Sequence, residues 1–162
     1  MKVYEIMSRT VITVTQDTTY RDLWKLIFRK HVNAIPVVDA KKKLIGLVTK
    51  DDLLESLYPD YREYLEELTT VSDFESMEGK VRDVSGKKAK EVMSKRVIYT
   101  REDTPIMRAL SRMIVRRVGQ LPVVTEADTL VGVVTKGDIF KALFRKQLGS
   151  KRPLVHKKKR RG

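Results

Sequence analysis

Cysteine is absent from the 162 residues. That removes disulfides, thiolate nucleophiles, iron–sulfur clusters and cysteine zinc sites. Histidine is scarce: His31 and His156 are the only two, too few for a histidine metal site or a catalytic dyad within one chain. No apolar run approaches the roughly 18 residues needed to span a bilayer. The start, Met1 to Ser8, has no long apolar stretch and carries an acid, Glu5, so it does not read as a secretion signal. A cytoplasmic setting is expected. No nucleophile–base pair and no phosphate loop is visible, so an enzyme is not expected either.

What is present is a real core and much charge. Apolar residues make up 41% of the chain and charged residues 34%, enough order signal for a globular protein. The size suits one compact domain or two small motifs sharing a core. Thirty-four Lys plus Arg against 21 Asp plus Glu give a net charge of +13. The charge is uneven. Lys151 to Gly162 holds seven positives and no acid, whereas Asp51 to Glu78 holds ten acids and one base, Arg62.

An internal repeat dominates the chain, and repeats decide the fold when they are present. At a constant offset of 86, Met7-Ser8 meets Met93-Ser94 and Asp17-Thr18 meets Asp103-Thr104. Pro36-Val37-Val38 meets Pro122-Val123-Val124, Gly46 meets Gly132, Thr49-Lys50 meets Thr135-Lys136, and Asp52 meets Asp138. Val11 to Val14 and Val97 to Thr100 are short and β-branched, which predicts a strand. Asp17-Thr18 and Asp103-Thr104 supply side chains suited to starting a helix. Leu23, Trp24, Ile27 and Phe28, and in the second copy Ala109, Leu110, Met113 and Ile114, have the spacing of a helix buried on one face. Trp24 and the methionines are expected in the core. Ile35 to Val38 and Leu44 to Val48 are strands around a polar turn, and Thr49 to Asp52 opens a second helix. Each copy therefore reads strand, helix, strand, strand, helix, an α+β arrangement. One copy is too small to be stable alone; two packed about a pseudo-twofold axis cover each other.

The boundaries expected are a first motif at 1–57, an acidic helical insert at 58–86, a second motif at 87–146 and a basic flexible tail at 147–162. In the insert, Tyr61, Tyr64, Leu65 and Leu68 have helical spacing after a start signal at Pro59-Asp60, and Gly79 and Gly86 punctuate its later part. His31 falls at the end of the first helix, where a cation favours the dipole.

The Thr-x-x-Asp corners carry the chemistry. Thr49 and Thr135 stand where a strand ends and a helix begins, a place that offers free amides to an anion. Asp52 and Asp138 each have two oxygens, suited to a cis-diol. The plainer account is a helix cap.

These features, twice and in order, resemble the CBS motif, and the tandem looks like a CBS pair (a Bateman module) over residues 1–57 and 87–146. The resemblance implies a non-catalytic regulatory module that binds an adenine nucleotide, AMP or a relative, between the two motifs and signals to a partner protein. It needs no cofactor and no metal. It implies that the base lies against Ile12 and Val32-Asn33-Ala34 in one copy, and against Ile98 and Val118-Gly119-Gln120 in the other. It also implies a flat homodimer joined through the final helices of each copy. Phosphate-gripping relatives often carry His-Arg where this chain has Asn33-Ala34 and Gly119-Gln120. The grip then falls to Lys50, Lys136, Arg116, Arg117, Arg9 or Lys95, which suits a monophosphate or a nucleoside-like ligand better than a triphosphate. Gly137 replaces Asp51 beside the second corner and removes a negative charge, so the Asp138 cleft is expected to bind more tightly. Two alternatives stand beside this reading: a nucleic-acid-associated protein using the basic tail, with the core as dimeriser, and a divalent-cation sensor using the acidic insert.

Overall fold

The computed structural model describes residues 1–57 and 73–149. The expected insert helix at Tyr61 to Leu68 and the tail from residue 150 lie outside the described residues. Helix α1 (Tyr20–Trp24) runs on into a π-helical turn (Lys25–Arg29), followed by β1 (Ala34–Val38), β2 (Leu44–Thr49) and α2 (Lys50–Leu57). Then come α3 (Asp73–Ser85) and α4 (Ala89–Val92). The second copy continues with β3 (Thr100–Arg101), α5 (Ile106–Arg116), β4 (Gln120–Val124), β5 (Leu130–Thr135) and α6 (Lys136–Leu148). The fold is α+β, with β1–β2 and β4–β5 as antiparallel hairpins in matching registers: Ala34 pairs with Thr49, and Gln120 with Thr135.

The repeat is visible in the backbone. The non-glycine residues with positive φ fall in pairs 86 apart, His31 and Arg117 at 55° each, and Lys42 and Asp128 at 61° and 62°. His31 thus sits in the left-handed turn just past the helix. The lobes meet where these hairpin turns touch: Leu44 N–H donates to the Asp128 carbonyl at 3.1 Å, and Leu130 N–H to the Lys42 carbonyl at 2.9 Å.

The expected first strand is much shorter than its β-branched run. Of Val11 to Val14, only Val14 pairs, bridging Val37 in parallel. In the second copy the strand starts at Thr100, pairing with Val123. The reason is a crossing. Ser8 exchanges hydrogen bonds with Val133 of the second lobe, both 2.9 Å, while Val14 belongs to the first. Residues 9–13 must bridge the gap and cannot join a sheet. The equivalent bridge links Leu47 with Ser94 at 2.9–3.0 Å.

The two copies have thereby exchanged their leading segments. Val3 and Met7 are buried in the core of the second lobe, with Met113, Leu121, Val134 and Ile139. Val84 and Ala89 are buried in the first, with Leu23, Ile35, Val48 and Leu53. Gly46 and Gly132 make this exchange fit. A Cβ on Gly132 would lie 2.7 Å from the Ser8 carbonyl oxygen and 2.8 Å from Met7 Sδ, and Met93 covers Gly46 in the same way.

Several sequence expectations are corrected. Helix α1 is capped by Thr19, whose hydroxyl accepts from Asp22 N–H at 3.3 Å, and not by Asp17-Thr18. Asp17 instead pairs with Lys88 and Lys90 at 3.5 and 3.8 Å. Pro105 precedes α5 with no side-chain cap. Trp24 is 41% exposed, and Met1, Met107 and Ile114 are exposed too, so only part of the expected set is core. The apolar stripe is wider than the lobe can cover. Gly79 lies within α3 rather than punctuating it.

Candidate functional site

Both Thr-x-x-Asp corners close into the same hydrogen-bonded box. Asp52 Oδ2 accepts from Thr49 N–H at 2.7 Å and from the Thr49 hydroxyl at 3.0 Å, and Asp52 N–H returns a bond to that hydroxyl at 3.3 Å. At Thr135 and Asp138 the three distances are 2.9, 2.8 and 3.1 Å. The helix-cap account is therefore realised in both copies. It has a consequence for ligand chemistry. The hydroxyl and Oδ2 are engaged by the box, so Oδ1 is the oxygen left outside it, and a two-oxygen grip on a diol would require the box to open.

Strand pairing sets the remaining residues beside each corner. The Ala34–Thr49 and Gln120–Thr135 pairs bring the residues before each proline next to the helix start. Lys136 N–H donates to the Gly119 carbonyl at 3.1 Å. The parallel Val14–Val37 bridge places Ile12 level with Ile35, and the Thr100–Val123 pair places Ile98 level with Leu121. Val32-Asn33-Ala34 and Thr49-Asp52 thus share one end of the first sheet, and Val118-Gly119-Gln120 and Thr135-Asp138 the matching end of the second, with Ile12 and Ile98 on the segments that lead into Val14 and Thr100. The copies are not equal there. Ile12 is 43% exposed, whereas Ile98 packs half-buried against the core of its lobe. Lys50 stands over the Phe28 ring at 5.5 Å.

The cavities divide into two kinds. A cleft of about 570 Å³ opens beside Ile98, lined also by Arg96, Val97, Tyr99, Arg112 and Arg116. Arg112 is anchored there, its Nη1 donating to the Tyr99 carbonyl at 2.6 Å. Two smaller clefts lie on the seam between lobes. One, of about 290 Å³, includes Arg9, Val11, Thr13, Val38, Lys42 and Leu130. The other, of about 150 Å³, is lined by the residues 86 further on or back: Lys95, Val97, Tyr99, Val124, Asp128 and Leu44. An extended chain alternates its side chains, so Val11 and Thr13 face the seam with no part taken by Ile12.

This placement sorts the expected phosphate ligands. Arg9 and Lys95 belong to the seam clefts, and of the six named only Arg116 lines the large one. Arg96, Arg112 and Tyr99 were missed from sequence. A signal was available: Arg112 and Arg116 are four apart and share a helix face. Among the described residues no group of His, Asp and Glu is placed to hold a metal ion, and no helix is long and apolar enough to cross a membrane. Asp60, Glu63, Glu66 and Glu67 of the acidic insert lie outside the described residues, as does the basic tail from residue 150.

Comparison with known proteins bears on the same residues. The CBS domain family matches twice, at residues 3–59 and 89–145. An uncharacterised protein of Methanocaldococcus jannaschii is 25% identical over 155 residues, 89% of this chain and 92% of its own. Three further curated relatives are matched over only 23%, 40% and 45% of their lengths. Among solved structures, CBSX2 of Arabidopsis thaliana in complex with AMP superposes with a TM-score of 0.69 at 24% identity, covering 90% of this chain and 97% of that one. Another solved CBS domain pair, bound to 5'-methylthioadenosine and S-adenosyl-L-methionine, gives 0.64 at 24%, covering 91% and 98%.

Proposed function

Because this chain belongs to the CBS domain family and carries two of its motifs as one pair, we propose that it is a regulatory, ligand-sensing module for an adenine nucleotide. The observation that carries this is the strand pairing that sets Val118-Gly119-Gln120 next to the Thr135–Asp138 corner at one end of the second sheet, together with the cleft of about 570 Å³ that Ile98 lines. The base packs against Ile98 and the Gly119-Gln120 backbone. The ribose donates to Asp138 Oδ1, and the phosphate lies toward Lys136 and Arg116. The first corner, with Ile12 exposed and Asp51 adjacent, is the weaker of the two. CBS pairs of the same fold that hold AMP, S-adenosyl-L-methionine or 5'-methylthioadenosine support this ligand class.

The output is a change in the angle between lobes, since a ligand can shift only an equilibrium whose two states it binds unequally. The partner is a cytoplasmic protein, and the module is a homodimer that performs no catalysis. The exposed stripe Phe140, Phe144 and Leu148 on α6 supports pairing through the final helices. The test is a thermal-shift panel of AMP, S-adenosyl-L-methionine, 5'-methylthioadenosine and magnesium. A ligand at one hundred times its Kd adds about 2.7 kcal/mol. Asp138→Asn should abolish the shift while Asp52→Asn and deletion of 151–162 leave it. No shift with any adenosyl compound overturns the reading.

A further inference from the structure

The seam cleft beside Arg9 has no part in the nucleotide reading. It sits at the hairpin end of β1, with Val38 and Lys42 in its wall. The Thr49–Asp52 corner stands at the other end, next to Ala34, and Ala34 and Val38 are about 13 Å apart along an extended strand. Leu130 and the Thr135 corner are likewise at opposite ends of β5. The repeat supplies a control. The cleft at the equivalent positions of the other copy holds about 150 Å³, against about 290 Å³ here. Thr13 is matched there by the bulkier Tyr99, and Lys42 by Asp128. Asp128 is already paired with Arg101 at 3.2 Å. The first cleft instead carries Arg9 and Lys42 and no acid. Among the described residues neither cation joins an ion pair. Asp39, close by in the same turn, directs its Oδ1 to Lys41 N–H and Lys43 N–H, both at 2.9 Å. The main chain fixes Lys42: its carbonyl accepts from Leu130 of the other lobe at 2.9 Å, and its N–H donates to the Asp39 carbonyl at 3.0 Å.

Between the two cations the walls are aliphatic, formed by Val11, Val38 and Leu130, and no aromatic ring lines the cleft for a base to stack on. Its volume falls just under the roughly 300–1,000 Å³ usual for ligand pockets, which suits a small metabolite. We propose that this cleft binds a small aliphatic carboxylate, with the charged group between Arg9 and Lys42 and the hydrocarbon body against Val11, Val38 and Leu130. The arginine fork matches the two carboxylate oxygens, and the Thr13 hydroxyl adds a donor. Arg9 and Lys42 come from one copy and Leu130 from the other, so the ligand touches both lobes where their hairpin turns are hydrogen-bonded. The site goes beyond the nucleotide reading and does not depend on it.

The experiment is a backbone-amide NMR titration of the full chain at low salt with isovalerate, acetate, isoamyl alcohol and inorganic phosphate. Isovalerate should bind saturably and shift the amides of Val11, Thr13 and Leu130. Its affinity should exceed that of acetate at least about tenfold, because the cleft takes its extra carbons out of water. Isoamyl alcohol, with the same body and no charge, should bind at least about tenfold more weakly. Lys42→Asp and Thr13→Tyr each copy the residue that the other lobe carries at the same place. Lys42 and Asp128 have φ of 61° and 62°, so the exchange suits the turn. Either variant should weaken isovalerate at least about tenfold, and AMP should not compete with it. No saturable isovalerate binding, or binding unchanged in both variants, overturns the proposal. Phosphate bound as tightly as isovalerate overturns the aliphatic class. Competition by AMP overturns the separate site. Isovalerate bound as expected with no adenosyl compound bound upholds the proposal and overturns the sensing reading alone.

Discussion

The two lobes are the same backbone solved twice with different side chains. Paired positive-φ residues, matching hairpin registers and mirrored crossing bridges show how closely the second copy tracks the first. Yet Tyr20 in one lobe is Ile106 in the other, Val14 is Thr100, and the wall beside Ile98 has three arginines where its twin has one lysine. Main-chain geometry is set by hydrogen bonds that any residue can make, so it survives divergence. A side chain answers only to its immediate neighbours, so it is where the copies part.

The largest effects should come from asking whether the lobes are independent at all. Leu53 and Ile139 are equivalent, and both are fully buried. Leu53→Ala and Ile139→Ala should each cost about 2–5 kcal/mol. Because each lobe contains the leading segment of the other, denaturant melts should keep a single transition in both variants. Two separated transitions would show that the exchange does not couple them.

Glycine should separate the copies next. Gly132→Ala meets a backbone oxygen of Ser8 as well as Met7, whereas the three atoms nearest a Cβ on Gly46 all belong to the Met93 side chain. Overpacking of this kind costs about 1–3 kcal/mol. Denaturation of double variants should find Gly46→Ala rescued by Met93→Ala, and Gly132→Ala not fully rescued by Met7→Ala.

A smaller contrast lies at Tyr20, whose hydroxyl donates to the Leu53 carbonyl at 2.6 Å. Tyr20→Phe should cost about 0.5–1.5 kcal/mol. Burial raises the Tyr20 pKa above its ordinary value, so the folded state holds the phenolic proton to higher pH than the unfolded chain. That stabilisation is complete below about pH 10 and is lost as pH rises through the raised folded value. Melts above pH 10 should show a steeper decline for the native chain than for Tyr20→Phe.

The smallest effect runs the other way. Thr100 is buried, and its hydroxyl has no partner among the described residues. Thr100→Val, the counterpart of Val14, should stabilise by about 1 kcal/mol through removal of an unpaired buried donor. A loss of stability would mean that this hydroxyl is satisfied.

Much of this was legible in the chain. The repeat at an offset of 86 shows when the chain is aligned with itself, and the two hairpins and the two corner boxes depend on local spacing, which a sequence displays. The first strand was not legible. Val11 to Val14 has the right propensity, but propensity is silent about the gap that the segment must cross. The arginine cleft was half legible: Arg112 and Arg116 share a face by spacing alone, whereas Arg96 joins them only through the path of residues 96–99.

By itself, then, the sequence determined a duplicated α+β unit with a Thr-x-x-Asp cap at each second helix, because those features arise from neighbours within about a dozen positions. Tertiary structure alone decided that Val3 and Met7 would serve the second lobe, that Val84 and Ala89 would serve the first, and which cations would surround Ile98. Those choices depend on which surfaces meet after the chain has closed on itself, and no repeat of residues along a line records that meeting.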